Sequence, residues 1–200
     1  MEAQSFDILC RVIEGQLDRI HSTFSQSPRD QRGSTYIAFV DLHVDAVRQR
    51  LATLQTDYPT VSDAEKRVYE RSAFRFKYLV DLIHGNVFNY RRDIGRQDLT
   101  VGLLHLIDAL LVVLVKDPSD PIIHSQGDYM YSTIRLKDQW APLSAELGVT
   151  WNEPVEPIIL NIPGLDPDNA FLSPILAHEV GHSVIGHHQL RDAVTSKLDP

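Results

Sequence analysis

The residues best placed to do chemistry lie near the end of the 200-residue chain, in the stretch Ser173 to His188, SPILAHEVGHSVIGHH. Within it stands His178-Glu179-Val180-Gly181-His182, two histidines four positions apart with a glutamate beside the first. Ser173 is a favourable N-cap and Pro174 suits the first helical position, so the spacing predicts a helix starting here. On that helix His178 and His182 project from one face, one turn apart. Two neutral imidazoles so placed can hold one Zn²⁺, which leaves Glu179 beside the metal, able to take a proton from a bound water. The implied chemistry is metal-assisted hydrolysis. The flanking Ala177, Val180, Gly181, Ser183 and Val184 carry no charge, as an enclosed helix requires; a solvated one would normally bear Lys or Glu there.

The segment LAHEVGHSVIGHH resembles the zincin metallopeptidases, and within them the gluzincin branch that includes the CAAX prenyl-protein endopeptidases and their bacterial relatives. Those proteins also favour an apolar residue and Ala before the motif, and a His five residues after its second His, here His187. The resemblance covers about Asn169 to His188 and fits the superfamily better than any one family. It implies His178 and His182 as zinc ligands, Glu179 as general base and a peptide or protein as substrate. The departure is the third ligand. Gluzincins take it from a Glu on a later helix, and no Glu follows Glu179 here.

Other donors for that position stay open. Metzincins use HExxHxxGxxH, and His188 falls at its last position, but Ile185 stands where the Gly is expected and Gly186 follows. On an unbroken helix His188 would point about 120° away from the histidine face. A break at Gly186, in a left-handed conformation, could return His187 or His188 to it. Asp192 is a further oxygen donor, about 15 Å along a continuing helix from His182. A ligand outside this chain is the remaining choice, since zincins usually continue well past the motif helix.

The elements that must position this site come earlier. Leu9, Val12, Ile13, Leu17, Ile20 and Phe24 recur at helical spacing and predict a helix over about Ser5 to Phe24. A second is expected over Thr35 to Gln55, with Val40, Val44, Val47, Leu51 and Leu54 on one face. A third runs from about Asp63 to Asp93. Ser62 and Glu65 form a capping box at its start, and Tyr69, Ala73, Phe76, Val80, Ile83, Val87 and Tyr90 make a coiled-coil-like stripe. Its Arg67, Arg71, Arg75 and Lys77 read as a solvated face rather than a nucleic-acid surface. The fourth, about Asp98 to Lys116, is apolar nearly all round and is expected at the centre of a bundle. Asp108 and His105 make it a poor membrane span.

Asp81 and His84, and likewise His105 and Asp108, sit three apart on helices three and four, while Asp41, His43 and Asp45 lie on helix two. Such spacing permits a bundle metal site. Interhelical hydrogen-bond pairs, Asp81 with His105 or Asp108 with His84, are the expected use.

At Asp117-Pro118 the texture changes, and a boundary is expected there between a helical region, 1–116, and an α+β zincin-like portion, 117–200. Tyr129 to Leu136 alternates as a strand does, and Gln139 to Leu147 predicts a short helix ended by Gly148. Pro157 to Pro163 reads as a strand, and its bracketing prolines suggest an edge position. In zincins an edge strand runs along the cleft and pairs with extended substrate, which the resemblance implies here. The fold class is therefore mostly α, a helical bundle followed by an α+β portion.

Composition bounds the function. A formal charge of −8 argues against nucleic-acid binding, and the apolar and charged fractions are those of an ordinary soluble protein. The lone Cys10 excludes an intrachain disulfide framework, and the N-terminus lacks the basic, then apolar, build of a signal peptide, so a cytoplasmic setting is expected. Two functions follow: a zinc peptidase, or a non-catalytic helical interaction module that meets a protein partner through its N-terminal region and keeps a structural or vestigial zinc site.

Overall fold

The computed structural model describes residues 3–25, 33–90, 105–111, 121–126, 131–163, 174–179 and 181. The fold is mostly α with a small α+β portion. Its described elements are α1 (Ala3–Ser25), α2 (Ser34–Asp57), α3 (Asp63–Tyr90), α4 (105–111), β1 (Ile122–Gln126), β2 (Ser132–Arg135), α5 (Leu136–Gln139), α6 (Ala141–Leu147), β3 (Ile158–Pro163) and α7 (174–179, with 181). They form two compact units, one of 1–28, 37–91 and 141–150, the other of 29–36, 92–140 and 151–200. The segment 141–150, beyond the expected boundary at Asp117, thus groups with the helices.

The helical unit is built on the apolar periodicities. α1 buries Phe6, Cys10, Ile13, Leu17, Ile20 and Phe24, a single face at helical spacing, and packs on α3. α2 buries Val40, Val44, Val47 and Leu51, and α3 buries Ala73, Phe76, Leu79, Val80, Ile83 and Val87. The capping box forms: Ser62 N–H donates to Glu65 Oε2 at 2.9 Å while the Ser62 hydroxyl faces Glu65 N at 3.4 Å. Tyr58, just past α2, stacks on Phe6 with ring centroids 3.8 Å apart and donates its hydroxyl to Glu70. α6 ends at Gly148, whose φ of +64° is the left-handed conformation that closes a helix at lowest cost with glycine.

The second unit centres on a three-stranded sheet of order β1-β3-β2, with β1 parallel and β2 antiparallel to β3. The Pro157 to Pro163 strand is therefore central, not an edge. Its prolines stand at the ends, where a missing N–H costs the ladder little, and all six residues of β3 are buried. Alternation sends Ile158, Leu160 and Ile162 to one face, where they meet Ile123 of β1, Ile107 and Leu111 of α4 and Leu176 of α7. Of the apolar stretch 98–116 the described part is one-sided: Ile107 and Leu111 are buried whereas His105 and Asp108 are exposed. Those two polar groups accordingly need no buried partner. No helix among the described residues is long and apolar enough to cross a membrane.

Candidate functional site

α7 carries the first half of the histidine motif. Leu176 is its anchor in the sheet core, and two positions on, about 200° around the helix, His178 is exposed. Glu179 is half-buried between these two directions. Pro174 and Ile175 are exposed as well, so over its described residues α7 lies on the core with one face only and is not enclosed. His182, the second member of the motif, lies outside the described residues, as do His187, His188 and Asp192.

The backbone at Glu179 is fixed by β2. Thr133 Oγ1 donates a 2.8 Å hydrogen bond to the Glu179 carbonyl oxygen. Thr133 shares its sheet face with Leu160, its register partner, and so points to the side on which Leu176 packs. β2 is an edge strand of the described sheet, and it is held at both ends. Asn161, 6% exposed, donates from Nδ2 to the Ser132 hydroxyl at 2.8 Å. At the other end Arg135 grips Glu156 bidentately, with Nε–Oε2 and Nη2–Oε1 both 2.9 Å, and also meets Asp138 at 3.1 Å. None of these supports was anticipated from sequence. The alternation of Tyr131, Thr133 and Arg135 was the available signal, because it puts those side chains on one face of one strand.

Among the described residues no three His, Cys, Asp or Glu side chains come together as a metal-holding group. The two imidazoles of the motif are of the chemistry that suits Zn²⁺, and the donors weighed for a third position, His187, His188 and Asp192, lie with His182 outside the described residues. The bundle residues are used otherwise. Asp81 accepts from Lys77 Nζ at 2.6 and 2.7 Å and from Gln16 Nε2 at 2.9 Å, and chiefly the Lys77 contact holds its carboxyl below the usual range. Asp41 faces His21 Nδ1 at 3.7 Å.

A second pair with chemical capability is His43 and Ser144, in the helical unit. His43 Nδ1 lies 2.8 Å from the Phe39 carbonyl and so carries the proton, which leaves Nε2 to accept from the Ser144 hydroxyl at 2.8 Å. Serine, histidine and an orienting acceptor form the outline of an activated nucleophile. The ring, however, has no exposed surface, and burial pushes its pKa down against the opposing effect of the Phe39 carbonyl. The pair therefore pins α6 to α2 as a satisfied buried contact. Comparison with known proteins gives no match, whether to a family model, to a curated protein or to a solved structure.

Proposed function

We propose that this chain is a zinc-dependent hydrolase of peptide bonds, with His178 and His182 as metal ligands and Glu179 as general base. The observation that carries the reading is the setting of α7: Leu176 anchors it in the sheet core, His178 stands open to solvent, and Thr133 of the edge strand ties down the Glu179 backbone. When bound, zinc supplies Lewis-acid activation of water and of the scissile carbonyl. Glu179 takes the proton released as water attacks and returns it to the leaving amine, so one carboxylate serves as base and then as acid. β2, rather than the Pro157 to Pro163 strand, would receive an extended substrate, because it is the antiparallel edge beside α7.

The test pairs metal content with turnover. Elemental analysis of the chain should find one zinc, lost in the His178→Ala/His182→Ala variant. Glu179→Gln should keep that zinc and lose cleavage of a quenched fluorescent peptide mixture by at least a hundredfold, as expected for general-base removal at about 10² to 10⁴. Cleavage that survives Glu179→Gln would remove this mechanism, and zinc that survives the double histidine variant would remove the site.

A further inference from the structure

The outward face of α3 is apolar and basic in a chain of net negative charge. Phe74, Tyr78 and Leu82 follow one another at i, i+4 and i+8 and are 56%, 61% and 43% exposed. Val68 and Phe88 extend the exposed apolar set toward the two ends of the helix, both 56% exposed. At 100° per residue, Phe74, Tyr78, Leu82 and Val68 occupy one arc of about 120°, with Phe88 at its margin, opposite the buried stripe of Ala73, Phe76, Val80, Ile83 and Val87. The same arc holds Arg67, Arg71 and Arg75 and not one acidic residue, in a chain of formal charge −8.

The acidic residues of α3 are spent elsewhere. Glu65 closes the capping box, Glu70 accepts from Tyr58, Asp81 is held by Lys77 and Gln16, and Asp63 pairs with Lys66. Arg75 is paired with Glu146 of α6. Arg67 and Arg71 are exposed; Arg67 adds a weak long-range attraction to Glu70, whose carboxyl is lowered chiefly by Tyr58, and neither arginine forms a close ion pair among the described residues.

We infer that this face of α3 docks an acidic amphipathic helix of a partner protein, whose apolar side covers Phe74, Tyr78 and Leu82 while its carboxylates meet Arg67 and Arg71. Three features select that occupant. A ladder at i, i+4, i+8 along one helix matches the ridge of another helix, which is how helical segments are read. A second copy of this chain is disfavoured, because α3 faces laid parallel would set arginines against arginines, and laid antiparallel would set them against Leu82, Gly85 and Asn89, with no carboxylate in the facing arc either way. An extended strand would not follow a ladder with helical spacing. The inference rests on α3 alone and holds whether or not the Glu179 site is hydrolytic.

The experiment uses the full 200-residue chain and three fluorescein-labelled 21-residue helical peptides. All carry Leu at i, i+4 and i+7 repeats; the remaining positions are Glu-rich, Lys-rich or neutral Gln-rich. Fluorescence anisotropy should show the Glu peptide binding at least tenfold more tightly than the other two. Arg67→Glu/Arg71→Glu should reverse the preference toward the Lys peptide, and Tyr78→Ser should weaken the Glu peptide by fivefold or more. All three positions are exposed, and circular dichroism of each variant should match the parent. Equal binding of the three peptides, or a preference untouched by the arginine reversal, would overturn the inference. So would sedimentation of the unliganded chain as a dimer that Tyr78→Ser dissociates, or its capture through Arg67 and Arg71 by vesicles of anionic phosphatidylglycerol but not by the Glu peptide.

Discussion

Thr133 Oγ1 and the carbonyl oxygen of Glu179 are 2.8 Å apart, a hydrogen bond that joins residues 46 positions apart in sequence. It links the edge strand of the sheet to the turn of helix that bears the candidate base. Leu176 sets how deep α7 sits on the sheet; Thr133 fixes where along β2 the Glu179 backbone rests. Thr133 is in this sense a positioning residue, for the helix backbone rather than for the carboxylate directly.

Thr133→Val removes the donor and keeps the shape, so it should destabilise the second unit by about 1 kcal/mol, the usual net worth of such a bond. Thr133→Ser, which keeps the hydroxyl, should recover most of that. Trp140 and Trp151 both belong to this unit and are the only tryptophans in the chain, so the fluorescence midpoint in urea reads it selectively. An unchanged midpoint in Thr133→Val would mean that the bond contributes nothing.

The buried His43 predicts a pH dependence with a definite sign. Its folded-state pKa is depressed by burial, so at pH above the unfolded value of about 6.5 both states are neutral and stability is at its full level. As pH falls below about 6.5 the unfolded chain takes up the proton first, and stability is lost until the folded pKa is reached. The slope from this one group is at most about 1.4 kcal/mol per pH unit. Urea unfolding followed by circular dichroism at pH 7.5 and 5.5 should show the loss in the parent and a smaller one in His43→Asn. Ser144→Ala should cost about 1 kcal/mol at pH 7.5. A parent and a His43→Asn variant with the same pH profile would show that His43 is not the group responsible.

Cys10 is fully buried on α1, and its thiol is pushed up to about 11, first by burial and then by Glu14 and Asp7. The thiolate is the reactive form, so at pH 8 the folded chain should label with an aromatic disulfide reagent at a small fraction of the rate seen in 6 M guanidinium. Labelling within seconds under native conditions would place Cys10 on an open surface.

Much of this architecture was legible because helices write their periodicity locally. Ser62 and Glu65 announce the start of α3, Gly148 marks the end of α6, and the buried stripe on α3 follows the spacing of its apolar residues. What escaped is non-local. β1 is five residues in a stretch that begins with Pro121, and its parallel pairing with β3 spans 37 positions, from Ile122 to Ile159, a contact no short pattern encodes. The prolines flanking β3 suggested an edge because proline lacks a donor, yet at strand ends that donor is not needed. At the site, the spacing of His178 and Glu179 was plain in sequence. The threonine that holds the helix there was not, since a hydroxyl meeting a backbone carbonyl leaves no signature in either segment.

Gly148 offers a test of how α6 is closed. Its φ of +64° costs an L-residue about 1 to 2 kcal/mol, and a Cβ there would also approach Arg50 Nη2 at 3.3 Å. The arginine end is flexible and can yield, so the backbone should dominate the cost. Gly148→Ala is expected to lower the stability of the helical unit by about 1 kcal/mol, and Gly148→Asn by less, because asparagine tolerates the left-handed region. The two causes separate in an Arg50→Ala background. If Gly148→Ala costs as much there, the backbone conformation is responsible; if the cost disappears, the contact with Arg50 was the obstacle and the left-handed closure carries little strain.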